Sequence, residues 1–84
     1  MAAWRVIYAG WAETAMRGLP AQRRREIDTA MRATIGRDPY GHGSTAPKRG
    51  EPDYREAAVA GAIVTYYVSA PAVMTVTAVR LISA

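Results

Sequence analysis

The 84-residue sequence contains no cysteine and one histidine, and it carries no charge of either sign between Ala57 and Val79. Without cysteine, disulfide staples and thiolate zinc sites are excluded. A single histidine cannot build a metal cluster alone. The start, Met1-Ala2-Ala3-Trp4-Arg5, lacks the long apolar stretch of a secretory signal, so a cytoplasmic location is expected. The uncharged run is long enough to be weighed as a bilayer span, for which about 20 apolar residues suffice. Pro71 interrupts it inside Ser69-Ala70-Pro71-Ala72, which reads as a turn. Val, Ile, Thr and Tyr dominate both flanks and favour a pleated, half-buried surface. The hydroxyls of Thr65, Tyr66, Tyr67, Ser69, Thr75 and Thr77 also make a poor lipid-facing helix. The run is therefore expected to form a β-hairpin, with no membrane partner.

Half of the residues are hydrophobic, which points to a packed globule rather than disorder. The length sets one domain, residues 1–84, near the size where a single core is only just adequate. Net charge is +4, and its distribution says more than its sum. All seven acids, and every Lys and Arg except Arg80, precede Ala57. Local basic clusters stand at Arg23-Arg24-Arg25 and Lys48-Arg49. Such an excess suits a polyanionic partner, RNA, DNA or an acidic peptide, and equally a solvated surface.

Trp4 to Tyr8 reads as a first strand. Trp11 to Arg17 reads as a short helix ended by Gly18, with Glu13 early and Arg17 late, the order the helix dipole prefers. Pro20 suits the start of a second helix, Ala21 to Ile35. Ile27, Ala30, Met31, Thr34 and Ile35 form its apolar stripe, and Gly36 is expected to cap it. Asp28 is spaced to pair with both Arg24 and Arg32 on the outer face. Residues 37 to 52 are a loop by composition. Three strands follow: Tyr54 to Ala60, Ala62 to Ser69 and Val73 to Leu81, with tight turns at Gly61 and Pro71. The order β-α-α-β-β-β predicts an α+β layer, a helical hairpin covering one face of a small, mainly antiparallel sheet. Apolar residues fall at both parities of the middle strand, Val64, Tyr66 and Val68 against Ile63 and Tyr67. The uncovered face is thus a candidate binding surface. Trp4 and Trp11 read as core anchors.

This arrangement resembles the RelE/ParE superfamily of small bacterial toxins. The resemblance rests on the Trp4-Arg5-Val6 strand, the paired helices and Arg37-Asp38-Pro39-Tyr40-Gly41 after them. It continues through Tyr54-Arg55, Val64-Thr65-Tyr66-Tyr67-Val68 and Val76-Thr77-Ala78-Val79-Arg80. It implies the toxin of a type II toxin–antitoxin pair, held silent by a cognate antitoxin protein. Family members act on one of two targets. Some cleave messenger RNA on the ribosome without a metal or other cofactor, the ribose 2′-hydroxyl attacking the adjacent phosphate; others inhibit DNA gyrase by binding. Cleavage requires cations aimed at the phosphorane, a proton acceptor and a proton donor, and only RNA supplies the nucleophile. Arg55 matches a family basic position on the second strand, and Arg80 lies near the last one. The family's other basic positions carry Ala57 or Ala58 and Ile63 here, and the sequence stops at Ala84 without the Tyr or His that many cutters use.

The implied roles fall on few residues. Arg55 and Arg80 are the candidates to stabilise the phosphate, although a basic residue entering or leaving a strand is commonplace. Lys48 and Arg49 in the loop, and Arg23 and Arg24 on the second helix, are candidates for RNA backbone contact, or simply solvated. His42 between Gly41 and Gly43 is a candidate acid or base, since its ordinary pKa lies near neutrality. Tyr54, Tyr66 and Tyr67 offer stacking surfaces or core packing. Glu56 as a proton acceptor beside Arg55 requires a bulge or edge geometry, because adjacent strand residues face opposite sides.

Overall fold

The computed structural model describes residues 3–69 and 74–83. The elements are β1 (Arg5–Tyr8), α1 (Gly10–Arg17), α2 (Ala21–Ala33), β2 (Tyr54–Val59), β3 (Ala62–Ser69) and β4 (Thr75–Ser83). They form an α+β domain, two helices on a four-stranded mixed sheet of order β1-β4-β3-β2. β1 runs parallel to β4, and the other neighbours are antiparallel. The described parts of the uncharged run outside the Ala60-Gly61 turn thus lie mainly in paired strands, β3 running to Ser69 opposite Thr75 of β4. Among the described residues no helix is long and apolar enough to cross a membrane. The Pro71 turn, and Val73 as the expected start of the last strand, lie outside the described residues.

One core holds the layers together. β3 supplies Ala62, Val64, Tyr66 and Val68, every second residue, to the covered face, while Thr65 on the other face is also buried. Val76, Ala78 and Leu81 of β4 join them, with Ala57 and Val59 of β2 and Val6 of β1. Ala12 and Met16 of α1, and Ile27 and Met31 of α2, close the cluster from the helix layer. Each large apolar side chain buried here contributes about 1.5–3 kcal/mol. Ile35 is fully buried as expected, although α2 ends two residues earlier, at Ala33.

The end of α2 corrects the reading of Gly36. Thr34 is the C-cap, and Gly36 is not in the left-handed region. Glycine is required there by proximity: a Cβ would lie 3.0 Å from the Arg32 carbonyl oxygen and 3.2 Å from a Val6 methyl. The chain crosses β1 at this point, and the Gly36 carbonyl accepts the Trp4 amide at 2.7 Å. The β2–β3 turn is the tight one expected. Ala60 and Gly61 both have positive φ, 49° and 79°, between the paired Val59 and Ala62. Two consecutive left-handed residues give the hairpin turn whose twist matches its strands; Ala60 bears the steric cost.

Two further expectations change. Trp11 is not a core anchor: it is 71% exposed on the first turn of α1, while Ala12 and Met16 face inward. Trp4 does pack against the core. Asp28 pairs with Arg32 at 2.8 Å and accepts the Tyr8 hydroxyl at 2.9 Å, but does not pair with Arg24. Arg24 turns back to the Leu19 carbonyl at 2.8 Å.

Candidate functional site on the open sheet face

A break in register decides which residues share the uncovered face. Along β4, Ala78 pairs with Tyr66, but Arg80 pairs with Thr65, so Val79 is an extra residue in the ladder. Strict alternation would put Arg80 on the covered face with Val76 and Ala78. The bulge moves it to the open face and returns Leu81 to the core. A sequence-level parity count cannot detect such a shift.

The open face is a grid. One row runs Ile7, Thr77, Tyr67, Tyr54 across the four strands. The next runs Arg80, Thr65, Glu56. Beyond it lie Ile82, Ile63 and Ala58. The Tyr54 and Tyr67 rings contact each other with centroids 4.7 Å apart, and Lys48 from the loop sits over Tyr54 at 4.6 Å. The Arg80 guanidinium lies 5.4 Å from the Trp11 ring centre. Apart from that stack, among the described residues its donors enter no hydrogen bond or ion pair. Ile7, Ile63 and Ile82 are exposed around this polar centre.

Arg55 belongs to a different neighbourhood. Its Cα partner is Tyr66, so it leaves β2 on the side opposite Glu56 and Arg80. Nε donates to Ser44 Oγ at 3.0 Å, and the two terminal nitrogens donate to the carbonyls of Pro52 and Ser44 at 3.0 and 3.2 Å. Its guanidinium also sits 5.2 Å from the Tyr40 ring centre. Arg55 therefore braces the 37–53 loop. Tyr66 braces the same loop from below, its buried hydroxyl donating to the Pro39 carbonyl at 2.6 Å. Burial pushes that hydroxyl's pKa up, while Ser44 and Arg55 pull it down. Tyr40 donates to Asp53 at 2.6 Å, and that bond raises its pKa. Thr45 pairs with Glu56 along the outer edge of β2.

The expected site residues thus separate into groups. Arg80 and Lys48 reach the open face, and Arg55 does not join them. His42 is exposed on the loop in a left-handed conformation, and its side chain forms no hydrogen bond or ion pair among the described residues. Arg49 is exposed in the same loop. Arg23 ties α2 to the end of β4, donating to Ser83 at 3.1 Å and pairing with Glu26 at 3.3 Å. Arg24 lines a groove of about 440 Å³ with Ile7, Tyr8, Glu13, Met16 and Arg17. Behind that groove, burial and then the bond to Asp28 push the Tyr8 hydroxyl far above the ordinary tyrosine value. Among the described residues no group of three His, Asp or Glu side chains could hold a metal ion.

Glu56 and Trp11 are the additions. Glu56 and Arg55 stay on opposite faces of β2, whose register with β3 is unbroken, and the bulge at Val79 of β4 instead brings Arg80 to the face of Glu56. Trp11, expected in the core, is 71% exposed and reaches Arg80 instead. In comparisons with known proteins, no family model, curated protein or solved structure matches the chain.

Proposed function

We propose that the chain is the toxin of a type II toxin–antitoxin pair of the RelE/ParE kind, acting in the cytoplasm on ribosome-associated mRNA at the open sheet face. The observation that carries this reading is Arg80, a cation with uncommitted donors on a face that also presents Lys48, Tyr54 and Tyr67. A guanidinium with free donors is suited to the phosphorane of a metal-free cleavage. In that step the ribose 2′-hydroxyl gives its proton to an acceptor, and its oxygen attacks the adjacent phosphorus. A cyclic 2′,3′-phosphate forms, and the 5′ oxygen leaves with a proton from solvent. Glu56, one strand beyond Thr65 in Arg80's row, is the acceptor on this face. The groove lined by Arg17, Arg24 and Glu13 keeps a net positive charge although Arg17 pairs with Glu13 at 3.5 Å, and we assign it as a contact for an acidic antitoxin.

A second reading is a toxin that inhibits DNA gyrase or another protein by binding alone. The commitment of Arg55 to the loop favours it, together with the exposed Ile7, Ile63 and Ile82 on the open face. Mapping mRNA 5′ ends shortly after induction, beside an Arg80→Ala control, separates the two. New ends within translated frames, absent from the control, are expected. An unchanged map in cells whose growth still stops would leave the binding toxin.

A further inference from the structure

The open face carries two aromatic–cation units. One is Arg80 over Trp11; the other is Lys48 over Tyr54, with Tyr67 against it. Tyr54 and Arg80 stand two strands and one row apart, roughly 12 Å by the strand spacing and rise per residue of a pleated sheet. Single-stranded nucleic acid repeats the same alternation, an anionic phosphate followed by a flat π face, and proteins bind it with cationic grooves and aromatic platforms. An acidic peptide would use the cations but not two ring faces. A duplex keeps its bases stacked away from such rings.

Trp11 is the unusual member. An indole that is 71% exposed leaves a large apolar surface in water, and Arg80 covers only one side of it. The cation–π contact uses none of the guanidinium's N–H groups in a hydrogen bond, which leaves them free for a phosphate. We infer that Trp11 and Arg80 form a nucleotide subsite, in which an unpaired base stacks on the open side of the indole and the guanidinium holds the adjoining phosphate. This rests on the RNA-binding reading and deepens it, making Trp11 a positioning residue for the strand. Stacking of this kind tolerates every base, so the subsite sets the strand's register and not its sequence.

The test is titration of the whole chain with a short unpaired oligoribonucleotide and with an abasic ribose-phosphate chain of equal length, following tryptophan fluorescence in the parent and in Trp11→Leu. For the parent and every variant, affinity is read from the anisotropy of a dye attached to the ligand. Trp4 packs on the core, so quenching should come from Trp11 and vanish in Trp11→Leu. Trp11→Ala should weaken the oligoribonucleotide by about 5- to 150-fold, the range for losing one stacked base, and leave the abasic chain unaffected. Arg80→Ala should weaken both ligands. Circular dichroism of each variant should match the parent, since both side chains are exposed. If Trp11→Ala binds RNA as tightly as the parent while Arg80→Ala does not, the subsite is overturned and the RNA reading stands. If the parent binds neither ligand, both fall.

Discussion

Arg55 and Arg80 are the two arginines that the sequence singles out, and the two faces of the sheet treat them in opposite ways. On the covered side, Arg55 gives all three guanidinium nitrogens to Ser44 and Pro52 and packs on Tyr40, holding a long loop against β2. On the open side, Arg80 stacks on an exposed indole and keeps its donors free. The same residue type thus serves stability in one place and is available for recognition in the other. The difference lies in which strand face each Cα occupies, and one bulge at Val79 decides it. Cationic character alone is a poor guide to a site; uncommitted donors on a shared face are a better one.

The contrast can be broken by substitution. On the proposed cleavage, Arg80→Ala should lower the rate in a ribosome-dependent assay by about 10²–10³-fold, the usual loss for one donor to a developing oxyanion. Its melting temperature should barely move, because an exposed cation–π contact is worth only about 0.5–1 kcal/mol. Core truncation should behave in reverse. Ile27→Ala should cost about 2–5 kcal/mol in chemical denaturation, whereas Ile63→Ala on the open face should stay near the 0.5 kcal/mol typical of surface changes. Arg55→Ala should cost about 2 kcal/mol through its charged hydrogen bonds, and amide exchange should speed up between residues 37 and 53. If Arg55→Ala instead abolished cleavage with stability intact, the division between the two arginines would be wrong.

Smaller effects sharpen the picture. Ala60→Gly should stabilise the hairpin by about 1 kcal/mol, because alanine is strained at positive φ. The melting temperature should then rise by about 4–8 °C for a domain of this size. A raised tyrosine pKa means that the folded state keeps its proton longer than the unfolded chain. Stability from Tyr8 is therefore intact below the unfolded value of about 10 and declines as pH rises above it. Denaturant titrations between pH 9 and 12 should show that decline, and Tyr8→Phe should make it shallower, the remainder coming from Tyr40 and Tyr66, whose pKa values are also raised.

Much of the fold was legible because local signals agreed. β3 begins and ends where Gly61 and the Pro71 turn sequence place it, and Ile27, Met31 and Ile35 announced α2's buried stripe. The failures have separate causes. Gly36 fits the pattern of a helix cap, but its constraint is contact with β1, which no local window contains. Trp11 was assigned to the core on hydrophobicity, yet its neighbours Ala12 and Met16 occupy the inward side of that short helix. The site was less legible than the fold, since its membership depends on a one-residue shift in β4. Alternation past Ala78 gives the wrong face for Arg80, and with it the wrong companions for Glu56. The loop was recognisable from Gly and Pro, but not the tyrosines and Arg55 that fasten it.

The pairing of β1 with β4 has a consequence for how the molecule comes into being. Among the described elements β1 is joined laterally to β4, with Arg5 opposite Thr75 and Tyr8 opposite Ala78. During synthesis β1 and both helices emerge long before the strand that must lie between β1 and β3. Until β4 has cleared the exit tunnel the sheet has no centre, and Trp11 waits without Arg80. Contacts so distant along the chain also slow folding relative to local ones. Assembly of the open face therefore waits for β4, the last of the six elements to be made.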